Sequence, residues 1–287
     1  FEHNAVTRTL HHFEEKGKIK VKQLTVSKEM VYDLERIRYQ FDTVKPDFVI
    51  VSHASNAFGL IAPVEDIFAL AKKYDAITLV DMAQTAGLVD LNVGLSTIDF
   101  AVFAGHKTMY GPTGISGFVM NSAVKFPAVI FGGTGYESAD QNMPEDLPQK
   151  YEMGTLNIAG IAGLNAALEW SAQITVNVIR EKEAENRKRL IDLLGRYSYI
   201  KIIGNYDSCS YVGIVSCIIE GISSDSAGPV FDRCGIAVRT GLQCAPLAHK
   251  FMGTFPAGTI RFSVNYFTTD DDFAELEEAL DYIDSEL

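Results

Sequence analysis

Positive charge is scarce in this chain: 25 lysines and arginines stand against 37 aspartates and glutamates in 287 residues, a formal net charge of -12. That balance opposes a nucleic-acid partner, because binding a polyphosphate backbone needs a basic surface. It still permits a locally basic pocket for a small anionic ligand. Long apolar runs are missing too, and none is long enough to span a bilayer, so no membrane segment is expected. Cysteine is sparse. Cys209, Cys217, Cys234 and Cys244 follow no metal-ligand spacing. With 47% hydrophobic residues the chain can bury large cores without disulfides. No metal site and a reduced, cytoplasmic setting are therefore the expectation. The opening residues, Phe1-Glu-His-Asn-Ala-Val-Thr-Arg8, hold neither an initiator Met nor a signal peptide and read like the interior of a domain, so the chain is expected to be a fragment.

What is present is a succession of α/β signals. After Ser27, residues Met30, Val31, Leu34, Ile37 and Phe41 recur at helical spacing. Residues 47–53 form a continuous apolar run, as a strand buried on both faces requires. Pro63 opens a helix to Lys73 with Val64, Ile67, Phe68 and Ala71 on one face. A second apolar run, Ala76 to Asp81, completes a strand, helix, strand unit and predicts a mainly parallel sheet. Further strands are predicted over 99–107, 115–120, 210–220 and, at an edge, 236–239. The Gly- and Pro-rich segment 132–154 reads as an irregular loop. Helices are predicted over 158–194, broken near Ser171 to Thr175, over 224–234, and after Thr269, where the aspartates cap a final helix rather than bind metal. The change of domain is placed at 172 and 173, giving a large unit 1–172 and a small unit 173–287.

Two strands end in reactive groups. One finishes at Asp81, the other leads into Gly105-His106-Lys107. In open α/β sheets the carboxyl ends of parallel strands line one crevice, so Asp81 and Lys107 can meet despite their separation. An amine at a buried strand end has the lowered pKa that a Schiff-base lysine needs. A carboxylate beside it suits a pyridine nitrogen, and the pair is what pyridoxal phosphate requires. A third group, Cys244, lies in the Gly- and Pro-bounded loop Arg239-Thr-Gly-Leu-Gln-Cys244-Ala-Pro, where a thiol is accessible. Cys217, by contrast, falls in an apolar strand and Cys234 in a helix, both of which suit core packing. Arg239 suits either stabilising that thiolate or binding a carboxylate.

Taken together, Glu2-His3-Asn4, Ser52-His-Ala-Ser-Asn56-Ala-Phe-Gly59, Val80-Asp81-Met-Ala-Gln84, Gly105-His106-Lys107 with Gly111-Pro-Thr-Gly, Tyr151-Glu-Met-Gly-Thr155-Leu-Asn, Arg239 to Ala245 and Arg261-Phe-Ser are similar to the class V aminotransferase superfamily. Within it they resemble the cysteine desulfurase and selenocysteine lyase group. The patches run in family order over the whole chain. The resemblance implies an α/β, type I pyridoxal-phosphate-dependent transferase fold. It has a mainly parallel large-domain sheet and a smaller α+β C-terminal domain carrying the cysteine loop. It implies pyridoxal 5'-phosphate as cofactor, with Lys107 as its Schiff-base lysine, His3 stacked on the ring and relaying protons, and Asp81 on the ring nitrogen. Gln84 and Asn56 lie near the phenolic oxygen, Asn56 also near substrate, and His106 near the phosphate. Thr155 reaches the phosphate of a neighbouring subunit's cofactor, so a homodimer with composite sites is implied. Arg261 clamps the carboxylate of L-cysteine, and the Cys244 thiolate takes its sulfur as a persulfide, leaving L-alanine. An acceptor protein or a reductant then receives the sulfur.

The pattern departs from the family at three places. A family member has roughly 80 to 100 further residues before Phe1, including a phosphate-gripping loop. Ala104 replaces a common serine that hydrogen-bonds the phosphate, and Gln243 replaces a common histidine before the cysteine. Selenocysteine lysis, or another lyase or transaminase reaction on the same scaffold, is the alternative to desulfuration. A cofactor-free interaction protein is the alternative of a different class.

Overall fold

In the computed structural model, which describes residues 1–204 and 210–286, the first apolar runs become three parallel strands. These are β1 (Phe48–Ser52), β2 (Ile77–Asp81) and β3 (Phe100–Ala104). Register places Ser52 beside Asp81 and Asp81 beside Val102, which brings the carboxyl ends of β1 and β2 level while β3 runs on to Ala104. A fourth strand, β4 (Ser116–Met120), returns antiparallel along β3. The helix expected after Pro63, α3 (Val64–Ala71), buries Val64, Ile67, Phe68 and Ala71 against this sheet. Against it packs α2 (Leu34–Val44) through Ile37 and Phe41. This helix starts later than the periodicity after Ser27 suggested. Its cap is Asp33, whose carboxylate accepts from the backbone N–H groups of Glu35 and Arg36, both at 3.1 Å. Met30 instead adopts φ 62° in the preceding turn. A helix at the start, α1 (Asn4–Glu15), is amphipathic but carries no buried residue.

The segment 132–154 is irregular, as expected. Two helices follow, α4 (Ile158–Ile174) and α5 (Val176–Leu194), and the break between them is Thr175 at φ 76°. A second sheet, wholly antiparallel, has strand order β5, β6, β8, β7. Its members are β5 (Ile200–Ile203), β6 (Ile214–Ile219), β7 (Arg239–Gly241) and β8 (Thr259–Ser263). The predicted edge strand at 236–239 is thus displaced to Arg239–Gly241. Ile236 and Val238 instead lead into it while packing on the core. Helices α6 (Ser224–Arg233) and α8 (Asp270–Glu286) join α5 around that core through Phe231, Leu276, Leu280 and Leu190. Thr269 and Asp272 cap α8 reciprocally, each accepting from the other's backbone N–H, so the acidic cluster has a structural explanation. Between β7 and β8 lies α7 (Pro246–Met252). Cys209 lies outside the described residues, within which no helix is long and apolar enough to cross a membrane.

Candidate active site

The strand ends make a shelf, and the site is built on it. Asp81 closes β2, half-buried, with one carboxylate oxygen accepting from the Ala83 N–H at 2.9 Å. Gln84 is half-buried in the turn that follows. Lys107 follows β3 by three residues, its N–H donating back to the Ala104 carbonyl. By area Lys107 is exposed, because the crevice is open above it. Protein still crowds its sides, and this desolvation lowers the amine pKa; the Arg261 cation pushes the same way, while Asp81 and Cys244 resist. His106 beside it is exposed.

His3 enters from the N-cap of α1, its Nδ1 accepting from the Ala5 N–H at 3.0 Å. Burial lowers its pKa and the Lys107 cation lowers it further, with Asp81 opposing. His3, Asp81 and Lys107 therefore share one electrostatic neighbourhood. The second sheet contributes the other side. From β8, Arg261 donates through Nη1 to the Asn56 carbonyl at 2.7 Å. The Asn56 side chain donates to the Gln243 carbonyl at 2.6 Å, and the Asn4 N–H donates to the Cys244 carbonyl at 2.7 Å. These three bonds tie the loop after β1, the start of α1 and the cysteine loop into one frame. Arg239 stands opposite Arg261 in the β7–β8 register and is exposed. Thr155 is exposed in the segment before α4 and lies outside this set of contacts.

Two buried polar atoms in this frame have no partner, Asn56 Oδ1 and Arg261 Nε. Buried polar groups are nearly always satisfied, so a vacant acceptor and a vacant cationic donor side by side mark a place for a polar ligand. An amine with a lowered pKa, a carboxylate and a guanidinium donor form the set that fits pyridoxal phosphate together with an amino acid carboxylate. The three described cysteines differ as their positions suggested. Cys217 is buried with its thiol pushed up to about 12 by desolvation, Cys234 is half-buried, and Cys244 is exposed.

Sequence reasoning missed two contributors. Glu2 accepts from the Ser52 N–H at 2.9 Å and the Ser52 hydroxyl at 2.6 Å, which anchors His3 to the end of β1; burial raises its pKa. The Asn4 backbone bond to the cysteine loop is equally invisible in residue types. Both residues belong to the Glu2-His3-Asn4 patch of the family resemblance, but nothing in it pointed to these bonds.

Residues 1–276 match the Aminotransferase class-V family. The chain belongs to that family. Within it the similarity runs to the cysteine desulfurase group. A probable cysteine desulfurase of Methanothermobacter thermautotrophicus is 33% identical over 241 residues, covering 82% of this chain and 60% of that protein. A probable cysteine desulfurase of Chlamydia muridarum is 31% identical over 271 residues, covering 92% and 66%. The chain thus spans about 60% of the length of the first of these class-V relatives. The apo structure of the cysteine desulfurase from Thermococcus onnurineus NA1 superposes with a TM-score of 0.85 at 26% identity, covering all of this chain and 72% of that one. The fold is therefore the type I pyridoxal-phosphate-dependent transferase fold, with a mixed α/β large domain and a smaller C-terminal domain. Membership of the class-V family implies pyridoxal phosphate as the cofactor.

Proposed function

We propose that this chain carries the active site of a cysteine desulfurase, converting L-cysteine to L-alanine and retaining the sulfur as a persulfide on Cys244. The observation that carries the reading is the convergence of an exposed thiol, an amine with a lowered pKa and a guanidinium with a vacant buried donor on one crevice. Pyridoxal phosphate, when bound, supplies an aldehyde for the amine and an electron sink for the substrate Cα. Lys107 would hold it through its amine, and the lowered pKa of that amine suits a general base for the substrate Cα proton. Asp81 would pair with the cofactor's ring nitrogen and favour its protonated form. Asn56, Gln84 and His106 would help to hold the cofactor by its polar groups, and His3 would pack against it and relay protons. Arg261, with Arg239 beside it, takes the substrate carboxylate.

The Cys244 thiolate then attacks the substrate sulfur. A sulfur–sulfur bond forms as the Cβ–S bond breaks, and the bonding pair stays with Cβ, which takes a proton to become the alanine methyl group. An acceptor protein or a thiol reductant removes the sulfur. Thr155 completes a site on a second copy, so the active form in this proposal is a homodimer, and the chain divides into cofactor and cysteine-loop units at 172 and 173.

The test combines two readings on one sample. The purified chain with added pyridoxal phosphate develops a Schiff-base absorbance band that Lys107→Ala abolishes, and it releases alanine from L-cysteine. Cys244→Ser keeps the band and loses the persulfide, detected by mass. A Cys244→Ser variant that still desulfurates L-cysteine at the original rate removes the thiol from the mechanism. A band with no alanine from L-cysteine points to selenocysteine or another substrate of the same scaffold. No band at all means that the cofactor site is incomplete in this chain or has decayed, and failure to bind cofactor even with a family-type phosphate-gripping segment supplied favours a cofactor-free interaction protein.

A further inference from the structure

Cys244 and the residue before it both lie in the left-handed region, Gln243 at φ 41° and Cys244 at φ 57°, and neither is glycine. Side chains oppose that conformation, so two in succession persist only where the surroundings hold them. Besides the bonds that the Gln243 and Cys244 carbonyls accept from Asn56 and Asn4, the hold comes from the Gln243 side chain, which is buried. Its amide nitrogen donates to the Thr259 carbonyl at 2.8 Å and to the Arg239 carbonyl at 3.2 Å. Those two acceptors fix which end of the amide is oxygen. Gln243 Oε1 then faces the Thr259 hydroxyl at 3.3 Å and Nε2 of His249 at 2.8 Å, so His249 Nε2 is the protonated nitrogen. His249 Nδ1 must accept, and the Thr254 hydroxyl, 2.7 Å away, is its donor. The imidazole is fully buried, lies against Phe58 at 5.1 Å between ring centres, and is neutral because burial pushes its pKa down to about 4.

We infer that the buried chain Gln243–His249–Thr254 is a positioning device for the cysteine loop, holding the Cys244 backbone in its left-handed pose so that the thiol stays beside Lys107 and Arg261. His249 is the positioning residue: it touches neither cofactor nor substrate, and it acts through the Gln243 carboxamide, one turn of α7 reaching back to the residue before the nucleophile. The consequence for sulfur transfer rests on the assignment of Cys244 proposed above, whereas the geometry does not. Without the His249 donor, Gln243 Oε1 keeps only the longer bond from Thr259. The amide then rests on its nitrogen's bonds to the Thr259 and Arg239 carbonyls, and its grip on the two left-handed residues weakens. Lys107 and Arg261 lie within electrostatic reach of Cys244. A relaxed loop carries the thiol away from them.

The test is the ratio of Cys244 alkylation by iodoacetate to that by iodoacetamide, read by peptide mass on the whole chain. Two cations beside the thiol draw in the anionic reagent, and taking a ratio cancels the intrinsic reactivity of the thiol. The expected result is a ratio that falls at least threefold in His249→Ala and returns in His249→Gln, whose amide nitrogen replaces the Nε2 donor. Cys217, which is fully buried, stays unlabelled throughout and reports that the domain is folded. An unchanged ratio in His249→Ala, no recovery in His249→Gln, or a fall that comes only with labelling of Cys217 overturns the inference. With pyridoxal phosphate bound, alanine release from L-cysteine falls at least tenfold in His249→Ala. Release from L-cysteine sulfinate, whose leaving group departs without a thiol's attack, holds within twofold. Equal loss of both reduces His249 to a structural residue. A wild-type chain that turns over neither substrate counts against the desulfurase reading alone and leaves the alkylation result standing.

Discussion

Arg261 is the residue whose surroundings say most about its work. One arm of its guanidinium is committed to the Asn56 carbonyl, and its Nε is buried with no partner. A lysine can replace the charge but cannot hold a backbone carbonyl and a carboxylate with two arms of one planar group. Arg261→Lys therefore raises KM for L-cysteine by roughly ten- to a hundredfold, as loss of a charge-assisted bond of about 1.5 to 3 kcal/mol requires. The Schiff-base band of Lys107 persists. Steady-state kinetics beside an absorbance spectrum checks this, and loss of the band with the KM change shows that Arg261 serves the cofactor instead. Asp81, Lys107 and Cys244 were legible because each interrupts an apolar or Gly-bounded pattern with a reactive group. Glu2, Asn4 and His249 were not. What they contribute is a hydrogen bond to a segment far away in sequence, and no local pattern records it.

At the level of elements, apolar patterning worked for the longer helices and for the most continuously apolar strands. Helix α3 was readable from apolar positions at helical spacing, and strands β1 and β2 from continuous apolar runs. The amphipathic α1 with no buried residue, the seven-residue α7 and the short β5 and β8 gave too few repeats to register. The break between α4 and α5 was read correctly in place. Its cause is Thr175, a β-branched residue at φ 76° and ψ 139°, held by its N–H bond to the Ser171 carbonyl. Glycine adopts that backbone without a steric penalty, and the hydroxyl cap to the Val178 N–H is long at 3.5 Å. Thr175→Gly is expected to stabilise the protein by about 1 kcal/mol, measured from the urea midpoint. A destabilised variant shows that the cap outweighs the strain.

Helix α5 also carries Glu183, buried and accepting from the Gly213 N–H at 2.6 Å, with its pKa raised from 4.5 to about 7 chiefly by desolvation. The folded state therefore binds a proton that the unfolded state releases between those two values. Stability falls as pH rises through that window, and the full cost of the ionised group is present above it. Glu183→Gln keeps the acceptor for Gly213 and removes the titration. Relative to it, the wild type loses roughly 3 kcal/mol between pH 4.5 and pH 7.5. Urea denaturation of both proteins across that range checks the sign, and a difference independent of pH refutes it.

For the whole molecule the informative surface is that of α4. Of its 17 residues only Gly160 and Ser171 are buried, while Ile158, Ile161 and Leu168 are exposed. Exposed Val129, Ile130 and Phe131 add to the apolar surface elsewhere on the large unit. Apolar surface on this scale suits an interface, and a second copy is the occupant that gives Thr155, just before α4, a site to complete. Composite sites have a consequence that no monomeric arrangement shares. In the proposed dimer, Lys107→Ala removes the amine from its own site, and Thr155→Ala is expected to impair the site of the other subunit. A dimer containing one of each variant has one site with both defects and one site with neither. Mixing the two variants under conditions of subunit exchange therefore restores about one quarter of the wild-type rate of alanine release, since half of the dimers are mixed and half of their sites are intact. In a protein whose sites each draw on a single chain, mixing adds nothing to the activity that the two variants have apart, and that outcome removes Thr155 from the neighbouring site.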